Sequence, residues 1–167
     1  PTRKDKDGRT LIRLKTFDEL AKEYDESGEF LLIPDIEATR KTTLDNGRVH
    51  QLHMNYVNLP ELLPCLREKG FSASVAGKPV SGFLGEHVRE TEALARKTGR
   101  PHLFILNHPI WTWYDVGPEA LIDNPSVRFF ELCNNGSPYA PAKGLPEDGF
   151  DTDRLWDVVN AFRVRRG

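Results

Sequence analysis

Glu37, His53 and His108 are the residues of this sequence whose types and settings suit metal chemistry. Phe30-Leu31-Leu32-Ile33-Pro34 leads into Asp35-Ile36-Glu37. The stretch from Val49 to Asn55 carries His50 and His53, and Leu103-Phe104-Ile105-Leu106 leads into Asn107-His108-Pro109. Short apolar runs of this kind read as strands buried on both faces. In barrels and open parallel sheets, chemistry sits just past the carboxyl ends of the strands. Glu and His bind zinc, manganese or iron. The carboxylate of Glu37 and the imidazoles of His53 and His108 are therefore expected to converge on one point.

The neighbouring candidates divide by position. Three residues apart on a strand, His50 and His53 point to opposite faces, so only one of them enters a site. His50 reads as the one outside it. Pro109 restricts His108 to an extended backbone, which fixes the direction of its ring. Glu131, or Asn134 after it, is expected at the same end of the sheet, as a site residue or a strand-end ion pair. Trp111, Trp113 and Tyr114 form an aromatic loop suited to stacking on a substrate or to plain hydrophobic cover. His87, on a helix, and His102, at the start of a strand, read as structural.

The elements that must position these groups follow from pattern. Thr10–Leu14 suggests a short strand, and Thr16-Phe17-Asp18-Glu19 is a capping box opening a helix that stops at Ser27-Gly28. Residues 29–34 read as a strand, followed by a polar loop with an Asn46-Gly47 turn signal. Val49–Leu59 reads as a second strand ended by Pro60. Residues 60–80 look irregular, because Pro64, Gly70, Gly77 and Pro79 break any period. A helix is predicted from Ser81 to Thr98-Gly99, a strand over 102–106, and a short helix with Pro118 in its first turn. Val127–Cys133 reads as a strand and 134–150 as a loop. A last helix, capped by Asp151 or Thr152, ends in Arg163, Arg165 and Arg166, which suit its negative terminus. Strands alternating with helices argue for α/β architecture with largely parallel strands.

Bulk properties exclude several classes. The 167 residues suit one domain, and a net charge of −2 indicates neither nucleic acid nor an anionic membrane as partner. No stretch approaches the roughly 18 apolar residues of a membrane span. Pro1–Thr10 is charged and lacks the apolar core of a signal peptide, and the sequence does not open with Met. Cys65 and Cys133 form no C-x-x-C pair, so reduced thiols and a cytoplasmic location are expected.

Phe30–Glu37, His53-Met54-Asn55-Tyr56-Val57-Asn58-Leu59, Leu106-Asn107-His108-Pro109 and Phe129-Phe130-Glu131-Leu132 stand in an order and spacing that resembles the PHP hydrolases. These are metal-dependent phosphoesterases named for polymerase and histidinol phosphatase. The resemblance covers most of residues 10–165. It implies part of a distorted (β/α)7 TIM-like barrel with a centre of two or three divalent ions (Zn, Mn or Fe) and a small phosphorylated substrate. By motif, Glu37 resembles the family's bridging carboxylate, His53 the histidine of the next strand, and His108 that of the His-Pro motif. The family's opening His-x-His strand and closing Asp-x-His strand are not in these residues, and Asp35 stands where a small Gly is usual. The chain accordingly reads as the middle of a PHP-type domain. Alone it is expected to bind metal weakly, to hydrolyse phosphoesters poorly, and to self-associate through unpaired sheet edges, a homo-oligomer being one form of this.

The chemistry so implied is metal-assisted hydrolysis of a phosphoester. No Gly-rich phosphate loop, G-x-S-x-G elbow or cysteine nucleophile signature competes with it. Two other classes remain open: a single-metal oxygenase built on Glu37, His53 and His108 as a two-His, one-carboxylate triad, and a non-catalytic binding domain.

Overall fold

Along 37–43, 49–57 and 103–107 the even-numbered positions are buried and the odd-numbered ones exposed or half-buried, so one face of a sheet is covered and the other open. The computed structural model describes residues 2–43, 47, 49–69, 74–76, 79–110, 116–132 and 152–166. The chain divides into two compact units, Pro1–Pro34 and Asp35–Gly167.

In the first unit, β1 (Thr2–Lys4) and β2 (Thr10–Ile12) pair antiparallel. The turn between them is held by the Asp5 carboxylate, which accepts from the amides of Asp7 and Arg9, both at 2.9 Å. Helix α1 (Phe17–Tyr24) begins with the expected capping box. The Glu19 amide donates to the Thr16 hydroxyl at 3.3 Å, and the Thr16 amide donates to the Glu19 carboxylate at 2.8 Å. Residues 29–34 are not the expected strand. Phe30 makes only an isolated bridge to Glu26 across a turn at Gly28, whose φ is 83°. The Asp25 carboxylate takes the Leu32 amide at 2.7 Å, and Pro34 has no amide to offer a ladder.

The second unit is built on a five-stranded sheet: β3 (Glu37–Thr43), β4 (Val49–Val57), β5 (Ser74–Ala76), β6 (Leu103–Asn107) and β7 (Phe129–Phe130), in spatial order β5-β3-β4-β6-β7. The central strand β4 is antiparallel to both β3 and β6, while β5 and β7 lie parallel to their neighbours. This is an open mixed sheet, not the (β/α)7 TIM-like barrel expected, and its central strands are not parallel. The reason is loop length. Only residues 44–48 separate β3 from β4, whereas a parallel crossover needs about a dozen residues or more. Of the Asn46-Gly47 signal, Gly47 is described, at φ 78°, and Asn46 lies outside the described residues.

The buried face carries Ala38, Arg40, Thr42, Leu52, Met54, Tyr56, Phe104 and Leu106. Against it packs α3 (Val80–Thr98), through Phe83, Leu84, His87, Val88 and Leu94. Gly99 ends α3 in the left-handed conformation at φ 66°, with its amide on the Ala95 carbonyl at 2.8 Å. Helices α4 (Pro118–Ile122) and α5 (Thr152–Arg166) extend the same layer, with Leu121, Leu155 and Val159 in the core. Arg163 does not serve its own helix terminus. Its guanidinium donates to the carbonyls of Leu121, Asn124 and Val127, tying α5 to the end of α4. Residues 60–80 are less irregular than expected, holding α2 (Pro64–Lys69) and β5. The strand expected over 127–133 shrinks to Phe129–Phe130. Among the described residues no helix is long and apolar enough to cross a membrane.

Candidate metal centre

The open face of the sheet holds the site. Register places Glu37 opposite Asn55, and His53 between Thr39 on one side and Asn107 on the other. Paired residues project to the same face, so Glu37, His53, Asn55 and Asn107 share one side of the pleat. Glu37 and His53 are diagonal neighbours across β3 and β4, within reach of a long side chain. His50 lies on the other face and is buried, as its spacing from His53 requires. His108 follows directly on β6, and its ring meets that of His53 edge-on with centroids 5.1 Å apart.

One ligand atom from each of Glu37, His53 and His108 lies within 4.8 Å of the other two. His53 Nδ1 is 3.1 Å from Glu37 Oε1, and His108 Nε2 is 3.1 Å from His53 Nδ1. Donors at metal–nitrogen distances of about 2.0–2.1 Å in a tetrahedral shell stand about 3.3 Å apart, which the two contacts of His53 match. Among the described residues this is the one group of three or more His, Cys, Asp or Glu side chains so placed.

His108 and Glu37 are held from behind. His108 Nδ1 meets the Glu131 carboxylate at 2.7 Å, which leaves Nε2 facing His53. The same Glu131 oxygen accepts the His108 amide at 2.9 Å. His108 therefore takes a positive φ of 29° instead of the extended backbone expected before Pro109. Such a conformation costs on the order of 1–3 kcal/mol, and two bonds to one carboxylate oppose that cost. His53 Nε2 lies 3.0 Å from the Gln51 side-chain amide nitrogen, and a lone pair on His53 Nδ1 for the ion requires that amide to turn over so that its oxygen accepts the Nε2–H. Asn107 Nδ2 donates to Glu37 Oε1 at 3.2 Å and to Asn55 Oδ1 at 2.6 Å, while Asn55 Nδ2 donates to Asp35 at 2.8 Å.

The electrostatics suit metal binding. Burial lowers the His53 pKa and the neighbouring His108 adds to that, while Glu37 opposes it, so the neutral imidazole is favoured. That is the form in which histidine binds a metal. The Glu37 side chain is half exposed, against 21% for His53 and 13% for His108, so the group opens to solvent on the carboxylate side.

The sequence placed Glu37, His108 and Glu131 at the ends of strands and His53 within or near the end of its own. His53 lies inside β4, His108 follows β6 and Glu131 follows β7, but Glu37 opens β3 instead of following a strand. Trp111, Trp113, Tyr114, Cys133 and Asn134 lie outside the described residues. His87 is on the opposite, buried face, where its Nδ1 meets the Tyr56 hydroxyl at 2.6 Å. Gln51, Asn55 and Lys41 were not foreseen as site residues. The first two touch the donors or their supports, and the charge of Lys41 acts on His53 from the same face. The signal for all three was present in the period-two pattern, which puts 37, 39, 41 and 51, 53, 55 on one side once the hairpin register is known. No protein-family model, no curated protein and no solved structure matches the chain.

Proposed function

We propose that this chain holds a divalent metal ion, zinc, manganese or iron, between Glu37, His53 and His108, and that the site serves hydrolysis of a small phosphoester. The observation that carries the reading is the convergence of two imidazole nitrogens and one carboxylate oxygen within 4.8 Å. A bound ion would activate water and neutralise charge on the phosphoryl group. The chain's own residues supply the rest. Glu131 keeps His108 Nε2 turned to the site, and the Asn55–Asn107 pair holds Glu37. Lys41, on the same face, offers a positive charge to a phosphate oxygen. The likeness of the four motif segments to the PHP hydrolases favours hydrolysis as the chemistry, and the two or three ions of that family would require donors beyond these three.

A second reading rests on the donor set itself: two histidines and one carboxylate also make a single-iron oxygenase site. Metal content after loading with zinc, manganese or ferrous iron tests the binding, compared among wild type, Glu37→Gln and His53→Ala. Binding that is unchanged in both variants refutes the site. Turnover of bis-p-nitrophenyl phosphate by the loaded wild type, absent from Glu37→Gln, supports hydrolysis. Dioxygen uptake by the iron-loaded chain without that turnover replaces hydrolysis with the oxygenase reading.

A further inference from the structure

At the opposite end of β6 from His108, a cleft of about 380 Å³ opens between the last turns of α3 and the starts of β6 and β7. Leu103 and Asn107 bound β6, so at strand rise the cleft lies about 13 Å from the metal donors along the strand. Its volume falls within the roughly 300–1,000 Å³ range of small-molecule sites. Its lining is mixed: Val88, Ala95 and Phe104 are buried apolar side chains, and Phe129 is an exposed one. Its charged lining is Arg96, Arg128 and Glu92. Glu92 stands 3.7 Å from Arg96, a long contact between exposed groups, whereas Arg128 has no carboxylate partner among the described residues. Ser126 and His102 add polar atoms at the same mouth.

Apolar side chains beside a guanidinium with no carboxylate partner among the described residues suit one kind of ligand. The guanidinium gives a planar, always-charged fork for a carboxylate or phosphate, and the apolar side chains of the lining remove a hydrocarbon body from water. We propose that this cleft is a second binding site, for a small organic anion with an apolar ring or short chain, its anionic head on Arg128 with Arg96 beside it. The site does not depend on the metal reading, and no metal ligand lines it.

The test is titration calorimetry or ligand-observed NMR with phenyl phosphate and benzoate in the presence of EDTA, so that metal-bound phosphate does not contribute. Saturable binding below about 10 mM is expected. Arg128→Glu should weaken it by about tenfold or more, since a charge-assisted bond is replaced by repulsion. Arg128 is exposed, so the variant should fold, and its circular dichroism melt checks that. His53→Ala should leave binding unchanged, which separates this cleft from the metal group. No saturation, equal affinity in Arg128→Glu, or loss of binding in His53→Ala overturns the proposal. So does equal affinity for inorganic phosphate, which lacks the apolar body, or for benzyl alcohol, which lacks the charge.

Discussion

Glu131 makes the sharpest test of how the proposed metal donors are held. One of its oxygens accepts both the Nδ1–H side of the His108 ring, at 2.7 Å, and the His108 amide, at 2.9 Å. Glu131→Gln keeps a carbonyl oxygen of nearly the same shape and removes the charge. Glu131→Ala removes both bonds. Loss of a group that orients a metal-binding histidine typically lowers metal affinity by about 10- to 100-fold, or about 1.4–2.7 kcal/mol. Gln should fall at the lower end and Ala at the upper. The Ala variant also frees His108 from its positive φ, a strain on the order of 1–3 kcal/mol, so the ring no longer has a fixed direction. Competition against a chromogenic zinc chelator measures the affinities, and the imidazole ¹⁵N shifts of His108 report which nitrogen carries the proton. Affinities of both variants within about threefold of wild type, with His108 unchanged, would refute the account of the site.

Other outcomes follow from the core and the titrating groups. Leu106→Ala, at a fully buried position of β6 packed beneath α3, should cost about 2–5 kcal/mol in denaturant unfolding; a cost under about 1 kcal/mol would contradict the burial of that strand. Burial, with a contribution from Glu90, pushes the Cys65 thiol up to about 12. Its alkylation at pH 8 should therefore run on the order of a hundredfold or more slower in the folded than in the denatured chain, and equal rates would show the thiol to be accessible. The bond from Arg13, with the Thr16 amide, lowers the Glu19 carboxyl to about 2 from an ordinary 4.5. Because the folded value is the lower one, its contribution to α1 is present above pH 4.5 and is lost as the pH falls toward 2. The Thr16 and Glu19 amide shifts should titrate in that window, and a midpoint at 4.5 would mean the pair is not formed in solution.

Local chemistry in the sequence was enough for α1, α3 and α4, though not for α2, which lies in the stretch read as irregular. Thr16 with Glu19, Gly99 after Thr98, and Pro118 in a first turn each act over a few residues, and each lies where its pattern predicts. Alternation along Val49–Val57 likewise required His50 and His53 to face opposite ways, whatever the neighbouring strands did. Strand direction was a different matter. An apolar run such as Phe30–Ile33 has the same composition whether it joins a ladder or, as here, is turned aside by the Asp25 carboxylate and Pro34. Pairing is decided between segments distant in the chain, and only the short β3–β4 connection hinted that the central strands run antiparallel. The three candidate donors stand out by residue type, but their meeting depends on register. Glu37 reaches His53 because it pairs with Asn55, and His108 reaches His53 because Asn107 stands opposite it and Glu131 holds its backbone at positive φ. A slip of one residue in either ladder would turn one donor into the core, and no local pattern carries that information.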